Sequence, residues 1–353
     1  MHISADNIYN KGISEKNIEN IQNKIKQAFF LWHVSDLNML ERIVVCKTFV
    51  LSKLWFLACF VNFEDNFVRE INSQIFNFIW RNKKECIKRD TLILPYERGG
   101  MSMFNIFAKL KTISFQQFKY IYYNFERDFY CMSVYWLKFQ FKNKLKNFNN
   151  VVGGEDNERP SVYKFMIQNL SEFRKYDREC VNNLHKYYSK KTYEIYRVQY
   201  EKKPNCELND NSLEWKKIYE NINNKKLNSD LRVNNYKILN NGLALDIKIN
   251  NLCKICYMCE KTNESVEHLF VECEQTKRLF EMNRVCFFKN KIVNYEKNSI
   301  IYHLNLDYEQ SKLMSIFKLS IWKLRNLIKN SYAKLNLNCF KNILFSNKIK
   351  YFK

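Results

Sequence analysis

Apolar residues recur every three or four positions over long stretches of this chain, the spacing of one face of an α-helix. Ile18, Ile21, Ile25, Ala28, Phe29 and Trp32 form one such stripe and predict a helix over residues 17–32. Leu40, Ile43, Val44, Cys46, Val50, Leu51, Leu54 and Leu57 predict a second over 37–61, with Asp36 as its cap. Phe67, Val68, Ile71, Ile75, Phe78 and Ile79 predict a third over 65–81. TLILP then reads as a short extended run stopped by Pro95, and Gly99-Gly100 allows a turn with positive φ. A further helix is expected from Asn105 to Phe125.

The pattern breaks at 146–162, KNFNNVVGGEDNERPSV, whose Gly pair, Pro and scarce large apolar residues predict a linker. Residues 161–202 read as helical and rich in tyrosine, with ring bodies buried and polar tips wet. Their Lys–Tyr interleaving could also stack bases and touch phosphates. Pro204 marks a second break, and SLEWKKIYENI starts a helix at Ser212. LRVNNYKILNNG predicts a helix closed by Gly242 at its C′ position, followed by a short helix in LALDIKINNL. From Ser311 an amphipathic run carries Leu313, Ile316, Phe317, Ser320, Ile321, Leu324, Leu327 and Ile328. No repeat at solenoid periods interrupts this order. The expected fold is mainly α, and with only 6 Gly and 3 Pro in 353 residues a turn-rich β architecture is excluded. The segment IVVCKTFVLSKLWFLACFV is about long enough to span a bilayer. Lys47 and Lys53 inside it would each cost roughly 2.5–3.5 kcal/mol at the membrane centre, so a buried helix is expected.

Charge changes the picture. Lysine and arginine exceed aspartate and glutamate by 58 to 36, a net charge of +22 that favours an anionic partner, nucleic acid first. Lysine, asparagine, isoleucine, phenylalanine and tyrosine, all with AT-rich codons, dominate the chain, so part of the charge follows base composition. Arg81, Lys83, Lys84, Lys88 and Arg89 cluster after the third helix and are candidate phosphate contacts, or else a solvated helix end whose cations suit the C-terminal dipole. The start, MHISADNIYN, lacks the basic-then-apolar pattern of a signal peptide, so the 12 cysteines are expected to be reduced and the chain nuclear or cytoplasmic.

One cysteine group stands apart. Cys256, Cys259, His268 and Cys273 follow C-x2-C-x8-H-x4-C, four ligand types within 256–273. Zinc takes such ligands in a tetrahedron, and a C-x2-C step presents two thiolates to one ion. The intervening EKTNES reads as a loop, and VEHLFVEC as a helical turn and a half that brings His268 towards Cys273. Three thiols and one imidazole suit one closed, structural zinc ion. Cys253 makes a second C-x2-C step with Cys256 and could replace Cys259. No P-loop, dinucleotide glycine fingerprint, Gly-x-Ser-x-Gly elbow or paired aspartates occur, so no catalytic residues and no small-molecule substrate are expected.

Taken together, several pieces resemble the C-terminal part of a reverse transcriptase from a non-LTR (LINE-type) retrotransposon. LWHVSDLNMLERIVVCKTFVLSKLWF (31–56) and INSQIFNFIWRNK (71–83) resemble the thumb helices that follow the catalytic palm. LPYERGGMSMFNI (94–106) resembles the family's Glu-Gly-Gly-Leu-Gly-like turn, with Arg98 inserted before Gly99 and with Met101 and Ser102 departing from it. Leu239 to Gly242, then Cys256, Cys259, Glu267, His268, Leu269, Phe270, Glu272 and Cys273, resemble its zinc-binding region, and IWKLRN (321–326) its Trp-x-x-Arg-Asn. The resemblance also favours Cys256 with Cys259 as the zinc pair. It implies a thumb-like helical domain over 1–145, the linker 146–162, a helical connector over 163–230, a zinc-binding domain over 231–290 and a helical tail over 291–353. It implies RNA or DNA as partner. The Tyr/Phe-x-Asp-Asp motif of the palm is not in this sequence, so binding without polymerisation is the expectation. The alternatives are a zinc-stabilised protein-interaction module, or a decayed reading frame.

Overall fold

The computed structural model describes residues 11–141, 157–208, 212–246, 255–288, 294–331 and 336–351. Its elements are helices: α1 (Lys11–His33), α2 (Met39–Val45), α3 (Leu51–Leu57), α4 (Asp65–Ile79), α5 (Arg89–Ile93), α6 (Ile106–Tyr123), α7 (Cys131–Leu137) and α8 (Ser161–Tyr176). They continue as α9 (Ser189–Val198), α10 (Asn205–Leu208), α11 (Trp215–Ile222), α12 (Ser229–Leu239), α13 (Glu274–Phe288), α14 (Lys297–Ile300), α15 (Tyr308–Ser331) and α16 (Leu337–Tyr351). The fold is mainly α, and the pairing of extended backbone among the described residues is a single bridge, Ile255 with Asn263. Two compact units share the chain, and neither is continuous in sequence. Unit 1 takes Met1–Asp36, Val44–Arg81 and Phe104–Glu201, and unit 2 takes Leu37–Ile43, Asn82–Met103 and Lys202–Lys353.

Unit 1 is organised on α6, which packs against α4, α8 and α9. Asn105 caps it by accepting a hydrogen bond from the Ala108 N–H at 2.9 Å. Phe115 and Phe118 on its inner face meet Phe173, Tyr187, Phe141 and Tyr122, with the Phe115 and Phe173 rings 4.3 Å apart. Each such buried aromatic contributes about 1.5–3 kcal/mol through area removed from water. Several of the expected wet tips are bonded to protein: the Tyr196 hydroxyl donates to the Asn169 carbonyl and the Tyr187 hydroxyl to Asp177, the Tyr193 hydroxyl accepts the Asn105 N–H, and the Tyr163 hydroxyl is 3.0 Å from that of Ser133. The predicted second helix is interrupted by a π-turn, Cys46–Val50. Its loosened carbonyls are taken up locally, that of Thr48 by the Ser52 hydroxyl and that of Phe49 by the Lys53 ammonium. Lys47 lies instead over the Phe104 ring, 4.8 Å from its centroid. Two lysines are thereby held in an otherwise apolar segment, and no described helix is long and apolar enough to cross a membrane.

Unit 2 is organised on α15, which packs against α12, α13 and α16. The expected single stripe is too narrow. Met314, Ser315, Lys318, Leu319 and Arg325 are buried as well, while Leu327 is exposed. Small serines let neighbours approach: Asn235 donates to Ser315 Oγ at 2.9 Å and Asn347 to Ser320 Oγ at 2.8 Å. Three local expectations change here. The cap of α2 is Asn38, not Asp36: its Oδ1 accepts from the N–H groups of Leu40 and Glu41 while Glu41 accepts from the Asn38 N–H, a reciprocal capping box. Asn38 also donates to Ser229 and Asp230, which ties this segment to α12. TLILP is not an extended run, because Thr91–Ile93 belong to the one-turn helix α5; the Leu92 and Leu94 carbonyls accept from the N–H groups of Met101, Ser102 and Met103. The left-handed residue after α12 is Asn241 (φ 50°), not Gly242. The Asn241 N–H bonds to the Ile238 carbonyl and the Gly242 N–H to the Lys237 carbonyl, a Schellman end in which asparagine tolerates the positive φ. The glycine turn is as expected. Gly99 has φ 74°, and a Cβ on Gly100 would lie 1.9 Å from the Leu94 carbonyl oxygen.

A buried lysine sits inside unit 2 without an acidic partner among the described residues. Lys318 Nζ is 2.7 Å from His303 Nε2, and His303 Nδ1 is 2.6 Å from the Ser311 hydroxyl. Burial lowers the pKa of Lys318 well below its ordinary value, and burial together with the Lys318 charge does the same to His303. A base with a lowered folded pKa binds a proton more readily when unfolded, so stability rises with pH until the unfolded value is passed. Lys318→Met is therefore expected to stabilise the protein, by about 1–4 kcal/mol as buried charges replaced by apolar groups do. The gain should be largest at neutral and acid pH and vanish as pH approaches 10.5, the ordinary lysine value. Denaturant titrations of both proteins at several pH values check this. A gain independent of pH would contradict it.

Candidate metal centre

The four predicted ligands converge. Among the described residues, Cys256 Sγ, Cys259 Sγ, His268 nitrogen and Cys273 Sγ all lie within 4.8 Å of one another. Cys253 lies outside the described residues. Backbone geometry makes the cluster. The Cys256 N–H bonds to the Thr262 carbonyl at 2.7 Å and the Glu260 N–H to the Cys256 carbonyl at 2.8 Å, so residues 256–262 close on themselves. Glu260 takes the positive φ (56°) this tight loop requires. The Ser265 hydroxyl then accepts from the His268 N–H, and His268–Glu272 form a π-turn that returns the Cys273 N–H to the His268 carbonyl at 2.7 Å. The chain reads VEHLFVEC here as the expected helical turn, widened by one residue.

The electrostatics favour a cation. Cys256 and Cys273 are fully buried, His268 is 8% exposed and Cys259 is half-buried. The hydrogen bond from Cys256 brings the Cys273 thiol down to about 5; burial opposes this, and the Thr276 and Gln275 N–H groups at the start of α13 add to it. The same bond and burial push Cys256 up. Cys273 stands at the N-terminus of α13, where the helix dipole favours its thiolate form. His268 Nε2 is 3.3 Å from Cys259 Sγ, Nδ1 has the Glu272 carboxylate at 3.7 Å, and the Thr262 hydroxyl lies 3.1 Å from both ring nitrogens. A carboxylate on the far side of the imidazole, where Glu272 lies, is a usual support of a metal-bound histidine. In a tetrahedron of ~2.3 Å Zn–S bonds the sulfurs stand about 3.8 Å apart. A small contraction of this cluster reaches that spacing, so the donor set is compatible with a zinc ion and leaves no position for water.

A second layer was not legible in the pattern of ligands. Glu264, in the loop between Cys259 and His268, is buried against Arg325 of α15, with Arg325 Nε 2.9 Å from Glu264 Oε1 and Nη2 on the other oxygen. The Arg325 guanidinium lies 4.8 Å from the Tyr257 ring centroid and 5.3 Å from that of Trp322. The Tyr257 hydroxyl donates to Asp246 at 2.7 Å, and Lys329 pairs with the same carboxylate. Burial pushes Asp246 up, but Lys329 and Tyr257 outweigh it and hold the carboxyl below its usual range. Burial and Asp246 raise Tyr257 to about 12. The loop that follows Cys256 is therefore bolted to α15 through Glu264 and Tyr257. Arg325 appeared in the sequence only inside IWKLRN, and its acidic partner is 61 residues away.

The predicted basic segment divides. Arg81 belongs to unit 1, where it pairs with Asp36 at 2.7 Å. Lys83, Lys84, Lys88 and Arg89 belong to unit 2. Arg89 is half-buried and grips Glu85 with Nε and Nη2, a bond that raises its pKa. Lys83 and Lys84 are exposed, and Lys88 is exposed with Nζ 3.4 Å from Asn205 Oδ1. No protein-family model matches the chain, and no curated protein matches it.

Proposed function

We propose that this chain binds RNA or DNA through phosphate contacts on a helical frame that one structural zinc ion stabilises. Cys256, Cys259, His268 and Cys273 would hold the ion, whose chemistry there is to join the loop 256–262 to the turn 268–273 rather than to activate water. The observation that carries the reading is the coincidence of a closed Cys3His cluster with a net charge of +22 in one chain. The resemblance to the thumb and zinc-binding regions of a non-LTR retrotransposon reverse transcriptase supports it. On that reading the chain has no polymerase activity of its own. The nucleus or cytoplasm is its compartment. Lys83, Lys84 and Lys88 are exposed and suit the role of phosphate contacts. In Arg81 and Arg89 the guanidinium already serves an intramolecular pair, so strand binding there competes with Asp36 and Glu85.

Phosphate neutralisation releases counterions, and affinity for a single strand falls with a log–log salt slope of about 0.7 per contact. Titrating a labelled RNA into the zinc-loaded protein at increasing potassium chloride is expected to give a slope of about 3–5, the range for five to seven contacts. A flat response, or displacement by heparin at a strength equal to that of unlabelled RNA, would contradict the reading.

A further inference from the structure

A second proton has no place in the buried pair of Lys318 and His303. Both side chains are wholly buried in unit 2, and Lys318 Nζ stands 2.7 Å from His303 Nε2. With a neutral amine and a neutral ring, or with one added proton between them, an N–H of one meets a lone pair of the other. With two added protons an ammonium faces an imidazolium at that distance, both of them donors, both charged and both away from water. The far side of the ring is held too. His303 Nδ1 is 2.6 Å from the hydroxyl of Ser311 on α15. The Ser311 carbonyl accepts from the Ser315 hydroxyl, which in turn accepts from Asn235 of α12.

The surrounding elements bring no carboxylate to this pair among the described residues. Asp230 of α12 is bonded to Tyr351 and Lys350, and Arg232 of that helix lies over the Tyr96 ring. Glu274 and Glu281 of α13 pair with Lys261 and Arg284. α16 carries cations but no acidic residue. Glu220 of α11 is exposed, Asp307 beside the loop accepts the Gln310 N–H, and Glu309 and Lys312 of α15 are partly exposed. Burial and Lys318 are what lower the pKa of His303, and burial what lowers that of Lys318. The segment that carries His303 is the part able to yield. Residues 301–306 join α14 to α15, and His303 (φ 54°) and Asn305 (φ 60°) hold left-handed backbone that side chains disfavour. The Asn221 amide donates to the His303 carbonyl, and the Leu304 N–H bonds to the Asn298 carbonyl. α14, just before this segment, packs on the turn His268–Glu272, with Lys297 2.9 Å from Glu267.

We infer that His303 and Lys318 form an acid-sensitive latch in unit 2: the pair holds segment 301–306 against α15 until a second proton arrives, and that proton releases the segment. Release carries the imidazole into water, where it takes the proton at its ordinary affinity. The latch stands apart from the nucleic-acid reading, and through α14 its opening loosens the support of the turn 268–272.

The test is hydrogen exchange on the full chain in excess zinc, with rates corrected for the intrinsic pH dependence of exchange. Below pH 6.5, the ordinary imidazole value, the opening constant of 297–306 should rise about tenfold per pH unit, because opening takes up one proton. Protection across 106–123 in unit 1 should stay level. His303→Asn keeps an acceptor for Lys318, tolerates a positive φ and does not titrate, so its opening should be independent of pH. His185→Asn, at an exposed position in unit 1, should behave as the wild type. Acid opening of 297–306 that persists in His303→Asn would overturn the latch, as would unchanged protection of the wild type in acid. If His303→Asn does not fold, nitrogen NMR of the wild-type imidazoles decides. His303 should stay neutral until 297–306 opens, whereas a His303 that takes its proton near pH 6.5 with the segment still protected would overturn the proposal.

Discussion

Stripping zinc from the chain with a strong chelator is expected to unfold residues 255–288 and to loosen the helices packed on them. The loop 256–262 and the turn 268–272 are short, and their fold is fixed by few backbone bonds. Their four ligands bring two fully buried thiols together, and without a cation one of them has to stay protonated, with a single Cys256–Cys273 hydrogen bond in place of four metal bonds. Structural zinc in small units supplies an apparent ~10–16 kcal/mol at neutral pH, more than such a segment can draw from packing alone. Cys273→Ser should reproduce the effect, because it removes the ligand that joins the turn to α13. Hydrogen exchange reads the outcome: protection lost across 268–288 and kept across 106–123 in unit 1. Cys339→Ser, a half-buried thiol outside the cluster, should change neither. Protection unchanged in the chelated protein would remove the metal from the account.

The pair Glu264–Arg325 should produce the second largest effect. Both side chains are almost wholly buried, at 3% and 1% exposure. Breaking a buried pair by removing one partner costs about 3–5 kcal/mol, since the other charge stays in the interior. Glu264→Leu and Arg325→Met are each expected to lose that much in denaturant titrations. Together they should lose far less than the sum, because no charge is then left unpaired. The single variants should also bind zinc more weakly, since Glu264 fixes the loop that carries Cys256 and Cys259. Additive losses in the double variant would show that the two residues do not act as a pair.

What the sequence made legible was local. Helical stripes at 17–32, 65–81 and 105–125 correspond to α1, α4 and α6 because apolar spacing and caps such as Asn105 are properties of neighbouring residues. The convergence of Cys256, Cys259, His268 and Cys273 was legible for the same reason, as they fall within 18 positions. Features set by distant chain were not. TLILP has strand-like residues, yet Arg89–Ile93 close one helical turn, and the Leu92 and Leu94 carbonyls accept from Met101, Ser102 and Met103 without a strand being formed there. Asp36 looked like a cap, but Asn38 fits between the α2 N-terminus and Ser229, 191 positions on. Gly242 looked like the left-handed residue, a role that Asn241 fills. The burial of α15 on nearly all sides depends on which helices surround it, so Lys318 and Arg325 gave no sign of being interior residues. The interleaving of the two units rests on contacts between segments far apart in the chain.

Metal content is the most direct measurement of the central claim. Elemental analysis of the purified chain, without added metal, is expected to find one zinc per chain. Cys273→Ser and His268→Ala should each bring it close to zero, and Cys339→Ser should leave it at one. A wild-type chain that folds fully and carries no zinc, or a Cys273→Ser chain that retains it, would contradict the account.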